Sequence, residues 1–362
     1  MPEEYESKPE ATVEDIEDLA EEEDDETKTT VRYLVSSYGA DYPVDGLVKR
    51  LQNGDIQIPE FQRKFIWTHA QCSRFIESLL LGLPVPGIFL SKEPETQRLL
   101  VIDGQQRLMT LKCFYDGIIN GREFRLKGVN QEFDGLTYKT LKDEDRRRFD
   151  DSILHATIVR QEKPEEDQTS IYLIFERLNT GGTPLSSQEI RACVYHGPFN
   201  DLLRELNSNS NWRQIYGQES KRAKDQELIL RFFALLYDIN NYKRPMKLFL
   251  SNFMAKNRNL QICSEKDLKN VFESTVELAA KLPPEIFRPE RALNVSVLEA
   301  ILIGTAKRLE QGEIRDPSSY QDAARDLVGD EEFLTKCKVG TTDVENVRTR
   351  IETSIRKFQS VL

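Results

Sequence analysis

Between Arg98 and Asn120 the chain reads RLLVIDGQQRLMTLKCFYDGIIN, and the period of its apolar residues changes inside that stretch. Leu99 to Ile102 is a continuous apolar run of the length of a buried strand. Asp103-Gly104 follows, a pair suited to a turn because glycine adopts backbone angles closed to other residues. From Gln105 onward Leu108, Leu111, Tyr115 and Ile118 recur at helical intervals. A strand, a glycine turn and a helix in direct succession form a junction that points backbone N–H groups, and the positive end of the helix dipole, out of the fold. Gln105, Gln106 and Arg107 stand at that end, offering two amides and a fixed cation with forked donors. That chemistry suits a phosphate. The same residues equally suit an ordinary strand–helix corner with a polar rim.

The chain has 362 residues, room for two domains with a core in each. No apolar run approaches the roughly 18–20 residues that span a bilayer, and the start MPEEYESKPE lacks a secretory pattern. Five cysteines, Cys72, Cys113, Cys193, Cys263 and Cys337, stand singly without a CxxC pair. They argue for a reducing, cytoplasmic setting with buried thiols, against a disulfide framework or a zinc site. The net charge of −11 is unevenly distributed: residues 1–30 hold fourteen acids against Lys8 and Lys28, leaving the remainder near +1. With few large apolar groups, that acidic segment is expected to be a disordered, solvating leader. A near-neutral body gives no compositional case for nucleic acid.

Taken in order, Thr30 to Ser36 suggests a strand or extended arm, and Pro43 to Asn53 a helix with Val48 and Leu51 inward. Ile56 to Ile58 alternates like a strand. PEFQRKFIW, Pro59 to Trp67, crowds Phe61, Phe65 and Trp67 around Gln62, Arg63 and Lys64; it reads either as a base-stacking, phosphate-gripping edge or as aromatics packed in the core. Thr68 and Gln71 fit a capping box, opening a helix that buries Cys72, Phe75, Ile76 and Leu79. Gly87 to Ser91 and Leu99 to Ile102 are expected to pair as an antiparallel hairpin. Gly121 to Arg148 is polar and mixed, expected at the periphery, and Ala156 to Arg160 reads as a strand.

Gln168 to Leu178 is helical, with Ile171, Ile174, Phe175 and Leu178 inward, and stops at Asn179-Thr180-Gly181-Gly182. Ser186 and Glu189 fit a second capping box, with Arg191 near the start of its helix. Two glycine turns, each beside a helix terminus and an arginine, suggest one pocket; a helix C-cap joined to a loop explains the second equally well. Beyond Asn200 helices dominate. Glu227 to Tyr237 is apolar nearly all round, as in a buried central helix. Ser296 to Leu309 and Val344 to Leu362 are further helices, the last carrying Arg348, Arg350, Arg356 and Lys357, read as a solvated face or a phosphate-backbone contact.

Standard catalytic sets are absent from the sequence. His69, His155 and His196 form no HExxH or HxH, and there is no Walker loop and no GxSxG elbow.

IPEFQRKFIW, LLLGLPVPGIFL, VIDGQQRLMTL and FERLNTGGTPLSSQEIRACVYHG, in that order and spacing, closely resemble the domain-of-unknown-function family 262. This domain forms the N-terminal part of GmrSD-like type IV restriction enzymes and of phosphorothioate-sensing phage-defence proteins. The resemblance spans roughly residues 40–310 and implies an α/β (α+β) ParB/sulfiredoxin-like domain followed by an α-helical domain. The expected boundaries are 1–30 for the tail, 31–199 for the ParB-like domain and 200–362 for the helical one. The resemblance associates DGQQR, here Asp103 to Arg107, with nucleotide binding and hydrolysis, places Gln62 and Arg63 in that pocket, and sets Asn179, Thr180, Gly181 and Gly182 nearby. Restriction members often add an HNH-type nuclease for which this chain lacks the histidines, so a separate nuclease or other defence protein is an expected partner.

The function this implies is an Mg²⁺-dependent nucleoside triphosphatase acting as the switch of a phage-defence or modified-DNA-sensing system. Gly104 would admit phosphates to the backbone amides, Arg107 would neutralise their charge and Arg63 would clamp a second phosphate. Asp103 is the candidate for metal or water positioning, with Glu189 its substitute. Gln105 or Gln106 would orient the attacking water, and Arg191 would add a phosphate contact. Two alternatives compete: a non-hydrolysing, nucleotide-gated DNA-binding module, and a metal-dependent nuclease built on Asp103 and Glu189. The expected partners are nucleotide and DNA, with a homo-oligomer admitted and no membrane.

Overall fold

The computed structural model describes residues 34–58, 67–93, 96–163, 169–178, 185–261 and 263–361. The acidic segment 1–30, Gln62 and Arg63, and Asn179 to Gly182 lie outside these residues. The chain divides into two units at Pro184/Leu185, ahead of the expected boundary at 199/200.

The first unit, Val31–Pro184, runs β1 (Leu34–Pro43), α1 (Val44–Asn53), β2 (Ile56–Gln57), α2 (His69–Leu80), β3 (Ile88–Lys92), β4 (Leu99–Asp103) and α3 (Gln105–Asp116). A short pair, β5 (Ile118–Ile119) and β6 (Arg122–Glu123), follows, then α4 (Asp143–Asp150), β7 (Ile153–Lys163) and α5 (Thr169–Leu178). Five strands form one mixed sheet in the order β1-β7-β3-β4-β2. The β3–β4 and β1–β7 pairs are antiparallel, and the β3–β7 and β2–β4 pairs parallel. The expected hairpin is therefore present, at the centre of the sheet.

Strand alternation sorts the side chains. Ile88 and Leu90 on β3, Leu99 and Val101 on β4, and Leu154, Ala156 and Ile158 on β7 join one core with Val44, Leu47 and Val48 of α1. Cys72, Phe75, Ile76 and Leu79 of α2 and Leu108, Leu111 and Phe114 of α3 complete it. Each such fully buried aliphatic or aromatic side chain contributes about 1.5–3 kcal/mol. Ile102 and Val159, of opposite parity, are buried as well, and α5 lies against β4 and β7.

Two sequence expectations fail here for identifiable reasons. The helix after the turn stops at Asp116 because Gly117 takes the left-handed conformation, φ 76°, and closes it. Ile118 thus leaves the helix and stays exposed, while Phe114 takes the fully buried place expected of Tyr115. The Tyr115 hydroxyl instead donates to the Asp150 carboxylate, which also accepts from Tyr138 at 3.1 Å. Burial and that carboxylate together push the Tyr115 phenol well up. The segment 121–148 is not peripheral: Phe124, Leu126, Phe133 and Leu141 are all buried in the core.

The second unit, Leu185–Leu362, is helical: α6 (Ser187–Val194), α7 (Pro198–Asn207), α8 (Ser210–Tyr216), α9 (Lys224–Asp238), α10 (Met246–Lys256), α11 (Glu265–Ala279), α12 (Val295–Leu309), α13 (Pro317–Val328), α14 (Glu331–Lys338) and α15 (Val344–Gln359). As the all-round apolar pattern predicts, α9 is almost wholly buried, and so is α12. Gly304 lets α12 and α15 approach closely, since a Cβ there would stand 2.6 Å from Phe358 Cδ2. At the same contact the Ser354 hydroxyl donates to the Ala300 carbonyl at 2.7 Å. Arg350 of α15 is buried, so the basic face expected of that helix lacks one of its four members. No described helix is long and apolar enough to cross a membrane, and all five cysteines are free.

Candidate functional site

The site is built on the end of β4. Pairing of Asp103 with Phe89 of β3 fixes where the strand stops. Gly104 then turns the chain at φ 96°, ψ 10°, in the left-handed region. A Cβ at this position would lie 2.9 Å from Ile88 Cβ and 3.2 Å from Arg107 Nη2. Both the backbone angle and the closeness of Ile88 restrict the position to glycine.

α3 starts immediately, its first helical bond running from Leu108 N to Gly104 O at 3.0 Å. No side chain caps its N-terminus. The other two helices whose starts were read from capping boxes behave differently. Thr68 and Gln71 close the box at α2, and Ser186 and Glu189 close the box at α6. An uncapped helix start concentrates positive potential and unsatisfied amide donors at one point, the physical requirement for holding an anion.

Arg107 folds back over that point. Its Nη2 donates to Asp103 Oδ2 at 2.7 Å, with side-chain exposures of 14% for the arginine and 48% for the aspartate. Arg107 Nε is buried and has no acceptor, and Gln105 Oε1 is buried without a donor. A buried polar atom left unsatisfied costs about 1–3 kcal/mol. Arg231 and Arg350 in the helical unit carry an acceptorless Nε too, so what distinguishes this turn is that its two orphaned atoms lie together at an uncapped helix start. Gln106 points elsewhere: its Oε1 accepts the backbone N–H of Trp67 at 3.2 Å. Its carbonyl is bonded by the Thr110 hydroxyl at 2.7 Å.

Asp103, Gly104, Gln105, Gln106 and Arg107 are thus brought together on one turn. Glu189 and Arg191 sit in the helical unit and are engaged there. Glu189 Oε2 accepts from Ser186 N at 2.7 Å and lies 3.5 Å from Arg222 Nε. Arg191 is 1% exposed, and its guanidinium reaches Gln188 and Glu227 at 3.0 Å, Ser251 at 3.3 Å and the Lys247 carbonyl at 3.4 Å. The role of phosphate contact expected for Arg191 has no free donor face in this arrangement.

Two residues that sequence reading did not attach to the site belong to it. Ile88 underlies Gly104, and Trp67 is held by Gln106. Trp67 itself packs edge-on against Phe75, ring centroids 5.7 Å apart, in keeping with the core reading of that aromatic. Neither attachment has a signature in spacing, because one depends on hairpin register and the other on a contact between residues 39 apart.

Residues 44–196 match the family model of the GmrSD restriction endonuclease N-terminal domain. The matched span starts at α1 and contains the whole Asp103–Arg107 turn and α6. The chain is also similar to an uncharacterised protein of Methanocaldococcus jannaschii, 33% identical over 111 residues, a match covering 24% of this chain and 18% of that protein. The chain therefore matches less than a fifth of that relative's length.

Proposed function

We propose that this chain, which carries a GmrSD-type N-terminal domain over residues 44–196, binds and hydrolyses a nucleoside triphosphate as the switch of a restriction-type defence system. The observation that supports this most is Arg107: a guanidinium with a buried, acceptorless Nε, set over an uncapped helix start beside a glycine that admits no side chain. A phosphate bound by the α3 amides would give Nε its missing acceptor. It would also compete with Asp103 for Nη2, freeing that half-exposed carboxylate.

The metal is part of the same reading. Among the described residues no three or more His, Cys, Asp or Glu side chains form a metal-holding group. A magnesium ion needs only one or two carboxylates when substrate phosphates and water supply its other ligands. Asp103 fits an Mg²⁺ that arrives with the nucleotide, and does not by itself make a resident metal site. Gln105, with its amide oxygen unpartnered, is left as the group to orient the attacking water. DNA and a separate nuclease remain the proposed partners. The nuclease alternative is weakened, because Glu189 is committed to its helix cap, and the DNA-lying helix is weakened by the burial of Arg350.

Phosphate release from ATP, GTP, CTP and UTP with Mg²⁺ tests the proposal. Arg107→Ala should lower turnover by about 10²–10³-fold with the fold intact by circular dichroism, as expected when one donor to developing charge is removed. Absence of turnover with all four nucleotides in the wild type would overturn the hydrolase, and calorimetric binding would then separate a non-hydrolysing nucleotide clamp from a chain that binds none.

A further inference from the structure

DGQQR contains two adjacent amides, and the structure gives them different tasks. Gln105 keeps a buried, unpartnered Oε1 at the turn, while Gln106 accepts the Trp67 N–H across 39 residues of chain. Trp67 immediately precedes Thr68, the cap of α2, whose hydroxyl and backbone are held in the box with Gln71. Its ring packs on Phe75 of the same helix. The Gln106 bond therefore ties the start of α3 to the start of α2. It does so from the very turn of helix that would receive a phosphate.

We propose that Gln106 is a positioning residue that couples the α3 N-terminus to Trp67 and α2, rather than a group that contacts the nucleotide or its attacking water. A change at the turn is then transmitted to the Trp67 amide through a single side chain. A glutamine suits this task because its chain spans the gap and its carbonyl accepts while uncharged. The Thr110 hydroxyl on the Gln106 carbonyl helps hold that first turn in place. The coupling stands on this geometry alone, and its response to nucleotide rests on the proposed triphosphate function.

The test is hydrogen exchange at the Trp67 amide in the full chain, with and without saturating Mg²⁺-nucleotide, in wild type, Gln106→Ala and Gln106→Glu. Without nucleotide, Gln106→Ala should accelerate exchange at Trp67 by about tenfold, the range expected when one intramolecular hydrogen bond is lost. Gln106→Glu, which retains a side-chain acceptor, should restore protection. A purely structural defect would accelerate exchange throughout α2 and would not be rescued by glutamate. With nucleotide, the wild-type Trp67 amide should slow further and that of Gln106→Ala should not respond. Exchange in Gln106→Ala within about twofold of wild type would overturn the link, as would a nucleotide response that survives the substitution. If the wild type binds none of the four nucleotides, the triphosphatase reading falls, while the comparison without nucleotide still decides the link.

Discussion

Arginine–carboxylate chemistry appears in both units with opposite consequences. In the helical unit five charges form an unbroken, largely buried chain. Arg191 meets Glu227 at 3.0 Å, Glu227 lies 3.4 Å from Arg231, Arg231 meets Glu299 at 2.9 Å, and Glu299 meets Arg350 at 2.7 Å. Neighbouring polar groups take the ends, Gln188 and Ser251 on Arg191 and the Thr341 carbonyl on Arg350. The chain crosses α6, α9, α12 and α15, and its carboxylates alternate with its guanidiniums. In the α/β unit the Asp103–Arg107 pair is local, one turn of helix long, and half open to solvent on the aspartate side. A buried Nε without an acceptor is common to Arg107, Arg231 and Arg350, so the two regions differ in exposure and extent. Charge held in closed alternation serves packing, while an open pair at a helix start is, on the proposed function, available to a ligand. The two tryptophans make the difference measurable, since Trp67 lies in the α/β unit and Trp212, fully buried, in the helical one.

The largest effect should come from Glu299→Ala. It leaves Arg231 and Arg350 without their shared carboxylate in a buried setting, a change that costs about 3–5 kcal/mol when one partner of a buried pair is removed. Urea titration followed by Trp212 emission in a Trp67→Phe background should show the loss. A cost below about 1 kcal/mol would mean that the buried chain does not hold the helices together, and the comparison would break on that side.

Gly104→Ala should come next, at about 1–3 kcal/mol, combining a left-handed backbone position with overpacking against Ile88. It should abolish nucleotide binding along with it, because the Cβ also lies 3.2 Å from Arg107 Nη2. Binding that survives with the fold intact would show that the turn tolerates a side chain and does not need its close approach.

The two regions were also unequally legible in the sequence. The strand, turn and helix from Leu99 to Asp116 show because their apolar period switches at a glycine, and the boxes at Thr68 and Ser186 show because capping is a local pattern. The apolar helix α9 shows for the same reason. What did not show is non-local. Phe124, Leu126, Phe133 and Leu141 carry no period and still enter the core, since irregular segments bury side chains wherever the elements around them leave room. Arg350 looked like one of four surface cations because nothing near it in sequence announces Glu299, fifty-one positions away. Of the candidate site, the composition of the turn was legible, but the division of labour between Gln105 and Gln106 was not, because it depends on where Trp67 arrives.

A smaller effect concerns pH. Burial alone would raise the Glu227 carboxyl, but Arg191 and Arg231 overcome it and hold the group below its ordinary value of 4.5. Its folded form ionises more readily than the unfolded one, so below pH 4.5 the unfolded state binds more protons. The contribution of Glu227 is therefore complete above that pH and is lost as pH falls through the depressed folded value. The slope it adds cannot exceed about 1.4 kcal/mol per pH unit for one proton. Stability measured by Trp212 between neutrality and pH 3 should decline in that acid window, and Glu227→Gln should flatten the decline while lowering stability at neutral pH. A slope unchanged by that substitution would place the acid sensitivity outside the buried chain.

The smallest effect on stability should come from a residue to which the proposed turnover is highly sensitive. Arg107→Ala breaks a short-range pair whose aspartate is half exposed, an interaction worth about 0–1 kcal/mol. It also removes a buried Nε that has no acceptor, so part of the lost attraction is offset by relief of an unsatisfied donor. Denaturation followed by Trp67 emission in a Trp212→Phe background should therefore shift little, in contrast to Glu299→Ala. Arg107→Lys should be equally mild in stability and still fail in turnover, because an ammonium cannot present two parallel donors to a phosphate. A cost above about 2 kcal/mol for Arg107→Ala would assign this arginine to the same class as Arg231 and Arg350. It would then be a fold-holding charge that happens to lie at a helix start, and the turn would lose its claim to a ligand.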